Sequence, residues 1–539
     1  MPRDSQHRVL RAVLRMAIVF LMVAGASPTW ARHRPSWVAP GGMRKPVELL
    51  SRSHDRSETL RKQLNRLVQR PLVRKLRLGL TVADVRSGTE LFALNPESSF
   101  NPASNTKIFT TAAALSILGT DFRFRTALWS AAPRLETGLT EVAQGPFFLQ
   151  GSGDPSFQTA DILDLVRNLV HRGFRVLNGD ILFDGDFRDE SDFEKQVEAP
   201  AYGSNALMLN RGVFRVRVFP GSVGKAASVQ IEPPSPFFVT RSAVKTVPGK
   251  RSKLSVETHY KDGQLVVEVR GRIGKKRDRL TLKHHVPNHR EWMRFALATA
   301  LREVGIEHRG EIRLGVPPKG PLHVVAEHRS QPLSEICRVI NKDSNNFVAD
   351  VVWKTLGSAQ YGLPQSLDKG ARAVTDWLTP MGFQTDRLRL VNGSGLTYEN
   401  RVRPADVSKL LTRLFHSLDI GPEFVQSLAV GGVDGTIHHR FRGMSSGLVK
   451  GKTGTLNGVS VLSGYVGSHP GVLVFTIFVE GFKPRRLPKI RQFQAQIVEL
   501  LLAHIRSGPQ RAADLPASGF ASHGLPETEE MEIADEEPL

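Results

Sequence analysis

The spacing of apolar and polar residues changes along the 539-residue chain. Near the start, residues 47–70 have a helical pattern, and the stretch LRLGLTVADVRSGTELFAL alternates on both sides of Arg86-Ser87-Gly88. A two-residue period interrupted by such a turn predicts a hairpin, with strands near 76–85 and 89–94. A helix over about 104–118 should follow, because NPASNTKIFTTAAAL passes from turn residues to a small, apolar interior.

The middle of the chain, residues 121–325, has a different pattern. Short strand-like runs such as GDILFDGDF and FRVRVFPG alternate with Gly, Pro and Asp turns, and one helical pattern stands out near 291–304. This texture predicts an inserted, mostly β region divided into two subdomains.

Helical patterns return after residue 327. They lie at about 333–340, 345–356, 369–381 and 404–417, and strands in GLVKGKTG, VSVLSGYVG and VLVFTIFVEG precede a last helix at 490–506. We therefore expect residues 49–120 and 326–506 to form one discontinuous domain around the insertion. Residues 507–539 contain few large apolar residues and are predicted to be a disordered acidic tail.

The first 31 residues have the pattern of a secretory signal peptide. An uncharged run of 11 residues, 16–26, stands between the small residue Ala31 and a basic start made by Arg3, Arg8, Arg11 and Arg15. This run falls short of the roughly 20 residues that span a bilayer, which favours a cleaved signal over a retained anchor. We therefore expect export to the periplasm as a soluble protein. Residues 32–48 are rich in Pro, Gly and Arg and are predicted to be a linker.

Charge adds a preference for anionic partners. The formal net charge is +21, although residues 524–539 carry seven acidic and no basic side chains. A basic body favours peripheral association with anionic membrane or wall surfaces, and general solubility is the alternative explanation. Nucleic acid is not expected, because the basic residues are scattered and accompany no recognised motif. The single cysteine, Cys337, cannot form an internal disulfide and has apolar neighbours, so we expect it to be buried.

Ser104 and Lys107 stand three residues apart at the start of a predicted helix, which places a hydroxyl and an amine on one face. The helix N-terminus would stabilise negative charge at Ser104, and a neutral Lys107 could accept the serine proton. By spacing alone, a helix cap is the simpler explanation of Ser104. The same spacing recurs at Ser222/Lys225, Ser242/Lys245 and Ser366/Lys369. Ser104 differs from these copies in the small, apolar helix that would bury the pair.

Two later motifs carry related chemistry. NKDSNNFVAD places Ser344 and Asn346 just before a helical run, and LVKGKTGTLNG places Lys452, Thr453 and Gly454 at the end of a strand. Gly454 would let a substrate backbone approach closely. Taken separately, a helix cap and a strand end explain the two motifs. The histidine-containing stretches HHRFRG and KHHVPNH complete no familiar ligand spacing, so no metal site is predicted.

The ordered set Ser-x-x-Lys, Ser-x-Asn and Lys-Thr-Gly resembles the active-site signatures of serine β-lactamases and penicillin-binding proteins. With 240 residues between Ser104 and Ser344, the chain is similar to the low-molecular-mass class C penicillin-binding proteins, the D-alanyl-D-alanine carboxypeptidase/endopeptidase family. The resemblance covers roughly residues 76–480, because FFLQGSGDPSF, YGSNALMLNRGVFRVRVFPG, LVNGSGLTYENRVRP and GGVDGTIHHRFRG also agree in family order. It implies an α/β (α+β) transpeptidase-like fold, with an antiparallel sheet flanked by helices and a large, mostly β insertion in the catalytic domain.

The resemblance also implies roles for the motif residues. Ser104 would attack the carbonyl of the D-Ala-D-Ala peptide bond and form an acyl-enzyme, with Lys107 as its general base. Ser344 would pass a proton towards the leaving amine, and Asn346 would hold Lys107 and the substrate amide.

The third motif, Lys452-Thr453-Gly454, would bind the C-terminal end of the substrate. Lys452 would keep Lys107 neutral through its positive charge and, with Thr453, bind the terminal carboxylate. The backbone N–H groups of Ser104 and Thr455 would form the oxyanion hole. Gly454 lies between Thr453 and Thr455 on the same strand. No metal and no cofactor is needed.

The family pattern has two departures here. Asn392 stands where an Asp is usual before the GSGL segment, and Asn345 stands where an Asp is frequent, but neither change removes a catalytic group. The implied partners are peptidoglycan stem peptides as substrates and β-lactam antibiotics as covalent inhibitors. A β-lactamase or esterase on the same scaffold and a non-catalytic cell-wall-binding protein are the alternatives.

Overall fold

The computed structural model describes residues 46–132, 141–183, 207–468 and 471–507. The predicted signal peptide, most of the predicted linker and the acidic tail from residue 508 onward lie outside the described residues. Residues 46–48, at the end of the predicted linker, are already helical. In these ranges no helix combines the length and the apolar composition that crossing a bilayer requires.

The elements follow one another in a mixed order. The α-helices are α1 (Pro46–Val68), α2 (Thr106–Ile117), α3 (Thr159–His171), α4 (His289–Glu303), α5 (Leu333–Lys342), α6 (Asn346–Tyr361), α7 (Leu367–Leu378), α8 (Pro404–His416), α9 (Gly421–Ser427) and α10 (Leu487–Arg506). The first strands are β1 (Arg77–Asp84), β2 (Glu90–Leu94), β3 (Arg125–Ser130), β4 (Val142–Gln144), β5 (Phe147–Gly151), β6 (Val176–Asn178), β7 (Ile181–Phe183), β8 (Val213–Phe219), β9 (Ser228–Glu232) and β10 (Phe238–Val247). The remaining strands are β11 (Lys253–Lys261), β12 (Gln264–Gly274), β13 (Leu280–His285), β14 (Glu307–Arg309), β15 (Ile312–Leu314), β16 (His323–Arg329), β17 (Ala429–Val430), β18 (Val449–Leu456), β19 (Val459–Ser468) and β20 (Gly471–Glu480).

The main sheet is antiparallel and has helices on both faces. Its strand order is β17-β18-β19-β20-β1-β2. Strand β20 shows why the sequence folds this way, because its side chains alternate between two separate apolar clusters. Val474 and Phe478 join the cluster that includes α2 and α5–α8, whereas Phe475 and Ile477 join the cluster that includes α1 and α10.

The two flanking helices α1 and α10 follow the helical period that the sequence shows. Leu60, Leu64 and Leu67 of α1 are spaced by four and three residues, which puts them on one face, and all three are buried. They share a cluster with Phe493 and Ile497 of α10. Residue Arg56 of α1 adds a hydrogen bond to the carbonyl of His504, 2.9 Å away.

The inserted region begins and ends on two paired strands. Strands β3 and β16 are antiparallel neighbours, with Arg125 opposite Arg329 and Ser130 opposite His323. They belong to a five-stranded sheet of order β15-β7-β5-β3-β16, and three further sheets have the orders β14-β6-β4, β13-β8-β9 and β10-β12-β11. The insertion has its own apolar cluster, whose buried members all lie between residues 128 and 326.

Helix α3 in the insertion is absent from the sequence prediction, which found one helix there. Its buried residues Ile162, Leu165, Val166 and Leu169 have the three- and four-residue spacing of an amphipathic helix. The Asp161 carboxylate caps its start by accepting a hydrogen bond from the Gln158 backbone nitrogen at 2.7 Å. The apolar spacing that predicts this helix was therefore present in the sequence, in the short run between two turns.

Helix α6 is also longer than predicted. The prediction stopped at residue 356 before Gly357, but α6 continues to Tyr361. A methyl group on Gly357 would lie 2.6 Å from the backbone nitrogen of Gly370 on α7. This glycine therefore allows two helices to approach closely and does not end one of them.

Candidate active site

Ser104 lies in a 3₁₀ turn, Ala103–Asn105, that leads directly into α2. The turn is made by a strained residue, since Ala103 has φ 44°, a left-handed conformation that usually costs an L-residue about 1–2 kcal/mol. The side chain of Asn101 holds this turn by accepting a hydrogen bond from the Ala103 backbone nitrogen at 2.7 Å. Ser104 itself is half-buried.

Lys107 is fully buried one turn later and has three oxygen neighbours. Its Nζ lies 3.1 Å from Ser104 Oγ, 2.7 Å from Asn346 Oδ1 and 2.6 Å from the carbonyl oxygen of Ser394. The latter two oxygens can only accept. A neutral amine would donate its two N–H groups to them, which leaves its lone pair for the hydroxyl of Ser104.

Burial also favours the neutral amine. Desolvation lowers the pKa of Lys107 to about 7, and the nearby Asp350 carboxylate opposes this by favouring the charged form. The neutral amine is therefore accessible to Lys107 near neutral pH. Two causes of this neutrality are expected from the sequence, burial and the charge of Lys452, and burial is the largest cause here.

The second motif lies where α6 begins. Asn346 is the first residue of α6, and the side chain of Asn345 caps the helix by accepting a hydrogen bond from the Val348 backbone nitrogen at 3.0 Å. An amide oxygen provides this cap as well as a carboxylate would. Ser344 just before it has φ 57°, a second left-handed residue beside the reacting groups.

The third motif lies on β18 of the main sheet. Lys452 is fully buried, and its Nζ donates to Ser344 Oγ at 2.8 Å. Desolvation, with the Lys107 charge as a smaller cause, holds the pKa of Lys452 well below its usual value. The side chain of Asn105 donates to the carbonyl of Lys452 at 3.0 Å, which ties β18 to the turn of Ser104. The hydroxyl of Thr453 donates to Thr436 Oγ1 at 2.9 Å.

Gly454 allows this strand to approach Ser104. A methyl group at this position would lie 2.7 Å from the carbonyl oxygen of Pro102 and 3.1 Å from the backbone nitrogen of Ser104. The next residue, Thr455, is exposed and pairs with Ser460 in the sheet. The predicted strand end therefore runs directly beside the predicted nucleophile.

The predicted residues thus come together from three elements. Ser104, Lys107 and Asn346 form one hydrogen-bonded group, and Ser344 with Lys452 forms another. A half-buried hydroxyl next to a buried amine of lowered pKa is the arrangement required for nucleophilic acyl transfer.

The three other Ser-x-x-Lys copies lie elsewhere in the molecule. Ser366 caps α7, Ser242 is exposed on β10, and Ser222 belongs to a turn.

Asp350 is a residue of this site that the sequence reasoning missed. It lies one turn after Asn346 on α6, and its Oδ1 accepts the backbone N–H groups of Gly393 at 3.0 Å and Ser394 at 2.8 Å. Because the Ser394 carbonyl accepts from Lys107, Asp350 helps to fix the position of the amine. The four-residue spacing from Asn346 was the available signal.

Asn392 holds the other side of the same loop. Its Oδ1 accepts from the Gly395 backbone nitrogen at 3.0 Å and from Asn400 Nδ2 at 3.3 Å. Both contacts require an acceptor and no charge. This explains why an amide serves at a position where the family usually has a carboxylate.

Comparisons with known proteins find a matching family model and several relatives. The model of the D-Ala-D-Ala carboxypeptidase 3 (S13) family matches residues 60–502. The chain is 29% identical over 454 residues to a D-alanyl-D-alanine carboxypeptidase of Actinomadura sp. (strain R39), covering 80% of this chain and 83% of that relative. It is 26% identical over 419 residues to the D-alanyl-D-alanine carboxypeptidase DacB of Haemophilus influenzae, covering 73% and 85%.

A solved structure is similar in fold. The crystal structure of penicillin binding protein 4 (dacB) from Haemophilus influenzae has a TM-score of 0.65 at 22% sequence identity, and the match covers 81% of this chain and 99% of that one. The same protein complexed with a β-lactam gives 0.64 at 24%. This similarity confirms the predicted fold, an antiparallel sheet flanked by helices.

Proposed function

Because the chain belongs to the D-Ala-D-Ala carboxypeptidase 3 (S13) family, we propose that it hydrolyses peptidoglycan stem peptides through an acyl-enzyme on Ser104. Membership confirms the family resemblance of the sequence and makes the protein a serine-type peptidase. The observation that carries the proposed site is the contact between Ser104 Oγ and the buried Nζ of Lys107 at 3.1 Å.

In the first step, Ser104 Oγ attacks the carbonyl carbon of the penultimate D-Ala, and neutral Lys107 takes the hydroxyl proton. The backbone N–H groups of Ser104 and Thr455 would stabilise the oxyanion. Ser344, whose hydroxyl oxygen accepts from Lys452 Nζ at 2.8 Å, then passes its proton to the departing amine and receives the proton that Lys107 took, so both residues return to their starting states. The C–N bond breaks, an ester forms on Ser104, and D-Ala leaves.

In the second step, water attacks the ester and Lys107 takes a proton from it. The peptide leaves with a new carboxylate, and Ser104 recovers its proton. Cleavage of a cross-link follows the same two steps, because the leaving amine then belongs to the neighbouring stem peptide. Carboxypeptidase and endopeptidase reactions therefore share one acyl-enzyme.

Penicillin binding follows from the same chemistry. Opening of the β-lactam amide by Ser104 gives an acyl-enzyme whose amine stays attached to the adduct and cannot diffuse away. The Haemophilus influenzae protein of similar fold has been crystallised with a β-lactam. We therefore propose that β-lactams inhibit this protein covalently.

Intact-mass analysis after incubation with penicillin tests the nucleophile. Wild type should gain the mass of one penicillin, and Ser104→Ala should gain none. Ser242→Ala is the matched control, because Ser242 belongs to another Ser-x-x-Lys copy but is exposed on β10. An equal adduct on wild type and Ser104→Ala would refute the assignment.

Digestion of purified peptidoglycan tests the substrate. Wild type should release D-Ala and reduce the amount of dimeric muropeptides in mass spectra, and Ser104→Ala should do neither. Rapid turnover of penicillin without D-Ala release would instead indicate a β-lactamase. Retained wall binding without any release would indicate a non-catalytic protein.

We propose that the protein acts after export, in the periplasm, and that its basic composition favours peripheral association with anionic surfaces there, since the predicted signal contributes only +3 of the full chain's net charge of +21. The basic start and the apolar run of residues 1–31 support export. N-terminal sequencing of the protein from a periplasmic fraction should begin at residue 32. Recovery with the cytoplasmic fraction, with residue 1 retained, would contradict this proposal.

A further inference from the structure

Many Lys and Arg side chains lie at one end of the inserted region. We define this cationic end by nine exposed side chains on strands β10–β12 and the adjoining loops: Lys225, Lys245, Lys250, Arg251, Lys253, Arg272, Lys275, Lys276 and Arg277. None of them belongs to the proposed active site. Their positions in the fold decide whether they act as one surface.

The sheet brings three of the cations into one row. Strands β10 and β12 are parallel, so both end at the same edge, and β11 begins there. Lys245 on β10 is directly opposite Arg272 on β12, which is directly opposite Lys253 on β11. Residues directly opposite one another on neighbouring strands point to the same face of a sheet. Three positive side chains therefore stand next to one another.

Hydrogen bonds tie the adjoining loops to this row. The backbone nitrogen of Lys276 donates to the carbonyl of Gly249 at 2.9 Å, and Thr246 donates to the carbonyl of Lys225 at the same distance. Arg277 Nε donates to the carbonyl of Lys250, also at 2.9 Å. The loops 221–226, 248–252 and 275–279 thus form a single end of the insertion.

Few countercharges accompany these cations: in the described ranges, Asp278 is the one carboxylate in loops 221–226, 248–252 and 275–279. Among the described residues, no carboxylate forms an ion pair with any of the nine, although other cations of the same sheets are paired. Arg241 and Arg270 pair with Glu268, for example. Like charges directly opposite each other destabilise a sheet, so an external anion would relieve repulsion at this surface.

We propose that the cationic end docks on the anionic lipid head groups of a membrane surface. Two features favour a flat lipid surface over a single polyanionic chain. Six of the nine cations lie on loops at the end of a sheet whose strands hold the other three, and Val223 in loop 221–226 is 51% exposed. Cations around an exposed apolar side chain suit the boundary between head groups and acyl chains.

This surface would give the insertion a use separate from catalysis. The proposal rests on the proposed function only for the exported location, because the surface itself contains no catalytic group. Membrane binding and acylation can therefore be measured independently on the same full-length protein.

Co-sedimentation of the full chain with phosphatidylcholine vesicles, with and without phosphatidylglycerol, tests the proposal. The triple variant Lys250→Ser, Arg251→Ser and Lys276→Ser should lower partition onto phosphatidylglycerol vesicles about a hundredfold. The matched control removes three exposed cations from the region before and within the first turn of α10, through Arg485→Ser, Arg486→Ser and Lys489→Ser. It should change partition less than threefold.

Val223→Ser separates lipid from soluble polyanions. It should lower partition onto phosphatidylglycerol vesicles about tenfold and leave binding to soluble polyphosphate unchanged. Equal binding to neutral vesicles, equal losses in the two triple variants, or binding to polyphosphate but not to vesicles would each overturn the proposal.

Penicillin acylation, measured on the same samples, distinguishes a failure of the proposed membrane surface from a failure of the proposed catalytic function. Normal acylation and an unchanged far-ultraviolet circular dichroism spectrum in the Lys250, Arg251 and Lys276 triple variant show that the catalytic domain and the insertion are both folded, so its lost vesicle binding supports the proposed surface. Normal vesicle binding without acylation would instead refute the proposed function alone.

Discussion

Lys107 Nζ faces one hydroxyl and two oxygens that can only accept, so its protonation state decides whether Ser104 can react. Burial lowers the pKa of Lys107 to about 7. Below that pH the amine is charged and cannot take the serine proton. Above it, the free lone pair is available.

We therefore predict that the acylation rate rises with pH through about 7 and levels off above it. Below the pKa, the rate should fall tenfold for each pH unit, because the neutral fraction does. The second-order rate of penicillin acylation, measured from pH 5.5 to 9, checks this. Circular dichroism at each pH serves as the control for folding, and a flat profile in a folded protein would contradict the role of Lys107.

Asp350 affects the same amine in two ways, through the loop that it holds and through its charge. Asp350→Asn keeps an oxygen for the N–H groups of Gly393 and Ser394 but removes the charge that favours protonated Lys107. We expect its pH profile to move to lower pH, with a plateau close to that of wild type.

Asp350→Ala removes the acceptor as well. Two backbone N–H groups then lose their partner, which should lower the free energy of unfolding by at least about 2 kcal/mol. It should also slow acylation more than tenfold. Equal pH profiles for Asp350→Asn and wild type would show that the charge has no effect on Lys107.

The sequence identified the reacting residues better than their support. Ser104, Lys107 and Lys452 belong to motifs with fixed spacing, and their chemistry can be inferred from residue type. Asp350 carries no motif, since its partners are backbone groups 43 and 44 residues away. Only the folded loop makes that contact visible.

Strand β18 reaches Ser104 because it has glycine at residue 454. Gly454→Ala would push the strand away from Pro102 and Ser104, whose atoms lie 2.7 and 3.1 Å from the added methyl group. We predict that acylation by penicillin slows about a hundredfold, since small misplacements of reacting groups have effects of this size.

Gly451→Ala is the matched control on the same strand. Its methyl group would meet only the carbonyl oxygen of Ser463, at 3.2 Å, and side-chain or backbone carbons farther away. Acylation should stay within about threefold of wild type for this mild contact. Equal losses in both variants would mean that the strand as a whole, and not the approach to Ser104, limits the reaction.

Helices and strands could be predicted from the sequence where the apolar residues repeat with one clear spacing. The hairpin of β1 and β2, the last three strands and α10 were placed within a few residues, because α10 has one regular apolar face and strands such as β20 are apolar on both faces. Helix α9 was missed, since its seven residues are too short for a clear period. The end of α6 was misplaced because a glycine inside a helix looks the same in sequence as one that ends it.

At the scale of the whole molecule, the apolar residues separate into clusters that follow the chain's order. One cluster contains only residues between 128 and 326, and the two others lie outside this range except for Met208. The sequence predicted an insertion at 121–325 from short strand-like runs that alternate with turn residues. Its division into two subdomains stays a prediction, since one apolar cluster extends through all of its larger sheets.

We predict that residues 124–330 fold without the rest of the chain. The two ends of this fragment lie side by side, because β3 pairs with β16 and the backbone nitrogen of Phe124 bonds to Ser330 Oγ at 2.9 Å. The fragment should show a β-rich circular dichroism spectrum and one cooperative urea transition, followed by the fluorescence of its two tryptophans, Trp129 and the buried Trp292. It should form no penicillin adduct.

The matched control is a fragment of residues 131–322, which lacks both β3 and β16. Without them the five-stranded sheet loses two strands, and the cluster loses the buried side chains of Leu128, Val325 and Ala326. Its transition should occur at lower urea or lose cooperativity, because less apolar area is buried. If the longer fragment also unfolds without a transition, the insertion depends on the surrounding domain, and its separate cluster does not amount to a domain of its own.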